Sequence, residues 1–337
     1  MLRPGRSSLA VTVIPLLIGL GMAAGPAPGG AQEPGQVRLG FNRAWVSPAL
    51  LIAVTQDYFK RAGVAIAEKS FDNPADVVQG IAAGGLDVGV CPAGILFTAV
   101  QQGVKVKAVA LAQGAQHPPV GYLVRADSGI NSVADLRGKT AGIAGYGGNT
   151  DLFLRYGLEK AGLDPKTDLK IVFVPFQLTL PAVINKQIDV GGMDSVLQAT
   201  AAQRYAGQLK VLYTYEDVTK AAIGTTNTNG LLLLASNAFV ERDRDTAVRF
   251  LEGYLRAIAA VHANAGKAVS EWAIAGRNDA IRALKEPATL PSDGKVYLDE
   301  LQFEADLALK FGYLKQAIDI RKSVDSSLLD EAARRIK

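Results

Sequence analysis

Two histidines, a single cysteine and several glycine-rich turns are the obvious places to look for chemistry in this 337-residue chain. His117 sits in a proline-rich turn and His262 in an amphipathic run. Neither has a cysteine or carboxylate at ligand or triad spacing. There is no Gly-x-Ser-x-Gly elbow. The turn from Gly142 to Thr150 is rich in glycine but lacks the lysine that reaches a phosphate, and it does not fit Gly-x-Gly-x-x-Gly. Cys91 cannot form an internal disulfide. These residues do not assemble a catalytic or metal set, and no cofactor is expected. Binding is the chemistry left.

The binding candidates lie where strand-like segments run into helix-like ones. In the first such loop, Asn42 offers an amide, Arg43 a planar cationic fork and Trp45 a flat apolar wall with one N–H. Asn73 starts a helix, and Cys91 and Pro92 follow a third strand. Tyr146, Gly147, Gly148, Asn149 and Thr150 form a turn whose glycines let a ligand approach the backbone. Gln177 lies just past a strand end, and Asp194 can accept from an amine or a hydroxyl. Several have plainer alternatives. Arg43 could face solvent, Trp45 could pack internally, Cys91 could be a small core thiol, and Asp194 could merely cap a helix.

These positions share one physical setting. In open α/β sheets, ligands bind at the carboxyl ends of the strands. The helix starts at Ser47, Asn73, Pro92, Thr150, Thr179 and Ser195 bring free N–H groups and partial positive charge to that edge. One terminus contributes about 0.3–1 kcal/mol. A micromolar ligand needs roughly 8 kcal/mol, so side chains must supply most of it.

The elements that would position these residues repeat. Leu86-Asp87-Val88-Gly89-Val90 and Ile188-Asp189-Val190-Gly191-Gly192 are near copies, with their aspartates 102 residues apart (189 minus 87). Each follows a helix-like stretch and leads into another. The aspartates read as structural ties for a turn. Around them the chain alternates strands and helices. Strands are expected at Val37–Phe41, Val64–Phe71, Leu86–Val90, Lys139–Ala144, Lys170–Phe176, Ile188–Gly192 and Leu209–Tyr213. In the first half, helices open with X-Pro and close at Gly63, Gly84-Gly85 and Gly103. Gly121–Arg125 and Leu231–Ala235 are expected as crossings between two lobes. A mainly helical tail includes Thr246–Ala263, Leu298–Phe311 and Ser327–Ile336 and is expected to pack on the first lobe.

The first 31 residues differ in kind. Arg3 and Arg6 precede an apolar run from Leu9 to Leu20, and small residues lead to Ala31. This is the layout of a secretory signal peptide. Without it the chain carries about +2, from 36 Lys and Arg less Arg3 and Arg6, against 32 Asp and Glu. With no basic cluster, nucleic acid is not an expected partner. No cysteine stands near Ala31 to take a lipid. A free periplasmic protein is the expectation.

A family resemblance runs through the mature chain in order. Ser47-Pro48 is followed by Asp57-Tyr58-Phe59 and Ala62-Gly63-Val64. Then come Gly84-Gly85-Leu86-Asp87-Val88-Gly89, Ser132 to Lys139, the Gly145–Thr150 loop, Ile188-Asp189-Val190-Gly191, Phe311-Gly312-Tyr313-Leu314 and Val324-Asp325. The chain thereby resembles the solute-binding proteins of ABC importers for sulfonate, nitrate and taurine, a group that includes binders of the thiamine pyrimidine precursor. The resemblance implies an α/β, type II periplasmic-binding-protein fold of two lobes joined by two crossing strands. It places lobe I at 37–118 and 232–337 and lobe II at 119–231. It implies a monomer that captures a small organic anion by hinge closure and docks on a membrane permease driven by an ATPase. The site carried over comprises Asn42 to Trp45, Asp72-Asn73, Cys91-Pro92, Gly145 to Thr150 and Asp194. Cys91 departs from the small hydroxyl or glycine residue expected there, which leaves aromatic or carboxylate ligands open. The rivals are an enzyme on the same scaffold, such as a pyrimidine-precursor synthase or a lyase, and a ligand-sensing receptor subunit.

Overall fold

The computed structural model describes residues 35–41, 48–71, 73–114, 119–275, 281–282, 284 and 290–337. The expected signal segment, Asn42, Arg43, Trp45, Ser47, Asp72 and His117 lie outside the described residues. The chain first lays down β1 (Gln36–Phe41), α1 (Pro48–Thr55), α2 (Tyr58–Arg61), β2 (Ala65–Ser70), α3 (Pro74–Ala82), β3 (Val88–Cys91), α4 (Ala93–Gln101) and β4 (Val106–Gln113). It then makes β5 (Gly121–Arg125), β6 (Thr140–Ile143), α5 (Asn149–Lys160), β7 (Lys170–Phe173), α6 (Thr179–Ile184), β8 (Val190–Met193), α7 (Ser195–Arg204), β9 (Leu209–Thr214) and α8 (Tyr215–Ile223). It returns through β10 (Leu231–Ser236), α9 (Asn237–Arg242), α10 (Arg244–Ala263), α11 (Ala265–Ala275), α12 (Leu298–Lys310) and α13 (Ser327–Arg335).

Two five-stranded sheets result, ordered β2-β1-β3-β10-β4 and β7-β6-β8-β5-β9. They share one plan. Three parallel strands come first, then one antiparallel strand, then the last. The antiparallel strand is β10 in one sheet and β5 in the other. These are the segments expected as crossings, and each is the first strand made after a passage between sheets. All six residues of β10 are buried, and the first five are apolar, which suits an interior strand.

The copies at Asp87 and Asp189 do the same work. Arg38 N donates to Asp87 Oδ2 at 3.0 Å, and Thr140 N donates to Asp189 Oδ2 at 2.9 Å. The returning bonds, Asp87 N to Arg38 O and Asp189 N to Thr140 O, are 2.9 and 2.8 Å. Each carboxylate therefore ties the start of its strand to the parallel neighbour. Close packing is copied as well. A Cβ at Gly40 would lie 2.5 Å from Leu86 Cδ1, and one at Gly142 would lie 2.5 Å from Ile188 Cδ1.

The expected helix from Pro48 to Gly63 is two helices, because Asp57 adopts φ 58° between them. The short helices α8, α9 and α11 had no expectation. The tail divides its packing. α10 lies on α1, α2 and α13, on the first sheet's side, as expected. α12 touches α4 but also α5 and α8 of the second. Its rings join it to α5: Phe303 meets Tyr156 edge-on at 5.3 Å and Phe153 at 6.1 Å. Among the described residues no helix is long and apolar enough to cross a membrane.

Candidate functional site

The loop between β6 and α5 is held from several sides. Gly147 has φ +72°, a conformation that favours glycine. Its N–H donates to Asp151 Oδ2 at 2.9 Å, while Arg155 Nε donates to Asp151 Oδ1 at 2.6 Å. Thr150 Oγ1 accepts from Ala144 N at 3.1 Å, which closes the loop on itself. Below it, Tyr122 donates to Thr150 O at 2.9 Å and stacks on Tyr213 at 4.4 Å. Tyr313 covers the far side, since a Cβ at Gly147 would lie 3.0 Å from its ring.

The first turn of α4 meets this loop. A Cβ at Gly94 would stand 2.7 Å from Gly147 O and 3.7 Å from Gly148 Cα. Only a hydrogen fits there. The segment after β3 in one sheet and the loop after β6 in the other are thus in van der Waals contact, and they bring Gly94, Gly147 and Gly148 to one place, with Pro92 two residues before Gly94 at the start of α4. Asn149 and Thr150 begin the helix behind them, with Tyr146 exposed at the rim.

Asp194 caps α7, accepting from Leu197 N at 2.8 Å. It is half-buried, and burial pushes its pKa up to about 6 against the opposing main-chain bonds from Leu197 and Val196. Its charge, and those of Asp151 and Glu304, are felt by buried Tyr215. The capping reading of Asp194 is what the geometry shows, and burial makes its carboxyl an acceptor of unusual basicity.

The other candidates sit differently. Cys91 is fully buried in the main apolar core, and burial raises its thiol pKa. Asn73 is exposed and its side-chain oxygen is engaged by Ala75 N at 3.0 Å. Gln177 is exposed in a short turn, Phe176–Leu178. The segments 73–75, 91–94, 144–150, 175–179 and 193–196 carry no lysine or arginine.

Several residues around the site were not anticipated. Gly94, Tyr122, Tyr215, Asn229, Glu300, Glu304 and Tyr313 all bear on the glycine loop or its helix. Asn149 Nδ2 donates to Glu304 Oε1 at 2.6 Å, across 155 residues of chain. A signal existed: Glu300 and Glu304 fall on the apolar face of α12, beside Leu301, Ala305 and Ala308, where an acid is out of place.

Two mirrored mixed sheets with their strand-end loops in contact make this a type II periplasmic-binding-protein fold. The chain belongs to the NMT1/THI5 like family, whose model matches residues 47–268. The periplasmic aliphatic sulphonate binding protein SsuA from Escherichia coli superimposes with a TM-score of 0.71, over 87% of this chain and 92% of that one, at 19% identity. A Brucella abortus protein provisionally named a binding protein is 28% identical over 178 residues, 52% of this chain and 53% of its own. The 4-amino-5-hydroxymethyl-2-methylpyrimidine phosphate synthase of Schizosaccharomyces pombe is 26% identical over 159 residues, 46% of this chain and 43% of its own. The chain thus spans about half the length of these curated relatives.

Proposed function

We propose that this protein is the solute-binding component of an ABC importer and captures a small organic anion, of sulfonate, nitrate or carboxylate type, between its two sheets. The observation that carries the reading is the contact of Gly94 with Gly147 and Gly148. When the strand-end loops of two mirrored sheets touch, a molecule held between them is enclosed. Arg43 supplies the anion's counter-charge, Trp45 a wall, and Asn42 an amide. The amides at the starts of α4 and α5 add partial positive charge, and Asp194 receives an amine or hydroxyl on the same ligand. Asn73, Gln177 and the main chain at Cys91-Pro92 complete the proposed lining.

In this reading residues 1–31 direct export to the periplasm and are removed. Lobe I is 37–118 with 232–337, and lobe II is 119–231. The monomer closes by hinge motion and presents its closed form to a permease and ATPase.

A thermal-shift panel of sulfonates, nitrate, carboxylates, aromatic acids and pyrimidines tests it. A ligand at a hundred times its Kd adds about 2.7 kcal/mol. Arg43→Ala should abolish the shift from an anion. Unchanged affinity would remove Arg43 from the site.

The second reading is an enzyme on this scaffold, favoured by the name of the Schizosaccharomyces pombe relative and by the raised pKa of Asp194. A carboxylate of that basicity suits a general base. Glu300 and Glu304 do not, being sealed from solvent. Turnover of any pyrimidine in the panel, lost in Asp194→Asn, would establish this reading over transport.

A further inference from the structure

Away from the loops that meet at the cleft, the least expected chemistry is on α12. Glu300 and Glu304 stand one helical turn apart and both are fully buried. Glu304 Oε1 accepts from Asn149 Nδ2 at 2.6 Å, and the same amide reaches Asn229 O at 3.4 Å. Asn229 is buried in the return passage between α8 and β10. Its main-chain N–H donates to Glu300 Oε2 at 3.1 Å, and its side-chain amide donates to the same oxygen. Asn229 also exchanges two bonds with the main chain of Tyr297, at 2.9 and 3.0 Å. One network therefore joins the start of α5, the passage between sheets and α12, which also rests on α4.

The two remaining oxygens decide how this network behaves. Glu300 Oε1 and Glu304 Oε2 are buried and have no hydrogen-bond partner among the described residues. The two carboxyls stand one helical turn apart and interact. Two ionised carboxylates have no donor to share, so both cannot stay charged there without cost. A proton on one of them supplies the missing donor. Burial raises the pKa of both, and the charge on Glu300 raises that of Glu304 further.

We propose that Glu300 and Glu304 form a proton-operated latch between α12 and α5. With one shared proton the pair holds Asn149 and Asn229 and keeps the strand-end loops together. When that proton leaves, two negative charges face each other in a dry site, and α12 withdraws from α5.

Among the described residues no cation compensates the pair. α8 contributes Tyr215, whose own ionisation Glu304 opposes. From α5 come Asp151, bound to Arg155, and Glu159, paired with Lys310. α4 carries no ionisable residue. The turn at Ile320–Ser323 brings Arg321 and Lys322, both exposed, and α12 itself adds exposed Asp299 and Asp306. The folded pair holds protons more tightly than the unfolded chain does. The latch is therefore whole at low pH, and its stabilisation falls as pH rises from the ordinary glutamate value of 4.5 through the folded pKa values.

The test uses the full chain without ligand, so its result is independent of whether the cleft takes a solute or a substrate. X-ray scattering and amide exchange of residues 145–152 are compared at about pH 5 and about pH 9, either side of the expected titration. The wild type should expand at the higher pH, and loop exchange, corrected for its intrinsic pH dependence, should quicken at least about tenfold. Glu304→Gln keeps an acceptor for Asn149 and gains a permanent donor for Glu300, so it should stay compact and slow at both. An unchanged wild type, or a Glu304→Gln protein that opens as the wild type does, would overturn the latch. Should Glu304→Gln not fold, Asn149→Ala decides. It cuts the tie and should leave the loop fast at both pH values, and a wild-type pH step in that variant would also overturn the proposal.

Discussion

Residues 38–94 and 140–196 build the same unit twice, 102 positions apart, and the places where the two copies differ show what each half is for. The shared positions are structural. Asp87 and Asp189 tie their strands, Gly40 and Gly142 accept a neighbouring aliphatic side chain, and Gly89 and Gly191 sit beneath the preceding helix. The first difference is charge. Arg38 in the first copy corresponds to Thr140 in the second, so Asp87 also pairs with the guanidinium groups of Arg38 and Arg242, at 2.7 and 3.0 Å. Burial opposes its ionisation, yet the two arginines outweigh that and hold its carboxyl below the usual range. The second difference is at the helix start. Pro92 leaves α4 without a side-chain cap, while its counterpart Asp194 caps α7. The third is bulk. Gly94 in the first copy, where the other half's loop packs, is Val196 in the second. A duplicated scaffold has thus kept its internal ties and changed the residues at its carboxyl edge.

The sharpest way to separate the copies is to remove their aspartates. Asp87→Ala should cost about 3 kcal/mol, since it strips two partly exposed arginines of their partner and a strand N–H of its acceptor. Asp189→Ala, with a neutral neighbour, should cost about 1 kcal/mol. Urea unfolding of both variants measures the gap, and equal losses would show that the charge pair adds nothing to the tie. Acid adds a second check. Because the folded pKa of Asp87 is depressed, its contribution is present above the unfolded value of 3.8 and is lost as pH falls below it.

Gly94→Val writes the second copy's residue into the first. Its branched side chain would meet Gly147 O, and relieving that overlap should cost the closed form about 1–3 kcal/mol. Scattering should show expansion, and any ligand found by the thermal panel should bind correspondingly more weakly. A compact variant with full affinity would mean the two loops need not touch.

Asp194→Asn keeps a capping oxygen but removes the charge. The folded pKa of Asp194 lies above its ordinary 3.8, so the wild type loses stability as pH rises from there to about 6. Above that window the variant should be more stable by about 1–2 kcal/mol, allowing for solvent screening at a half-buried group. Melting curves at several pH values would show it, and parallel pH profiles would mean Asp194 is not strained.

The smallest effect concerns Asn73. Asn73→Ala removes an exposed cap from α3 and should cost up to about 1 kcal/mol, with ligand affinity unchanged if capping is its whole role. A loss of affinity without a loss of stability would instead place Asn73 in the site.

Much of this molecule was legible before folding, for a local reason. A β-α unit satisfies its hydrogen bonds within a short stretch and stops its helices at glycine, so strands, helix starts and the 102-residue repeat are written in neighbouring residues. The same locality placed Gly147, Gly148 and Asn149 at a strand end and Asp194 at a helix start. It failed where a residue's role depends on a distant partner. Cys91 looked like a site residue from its position, yet its side chain belongs to the core. Asn149 is expected in a turn open to a ligand, yet its amide is held by Glu304, and Gly94, which carries no expectation, packs against Gly147 O. Those contacts span tens to hundreds of residues. Only tertiary packing could put α12 against α5 and seal two glutamates from water, because a carboxylate's state follows from its solvent and neighbours in space rather than in sequence.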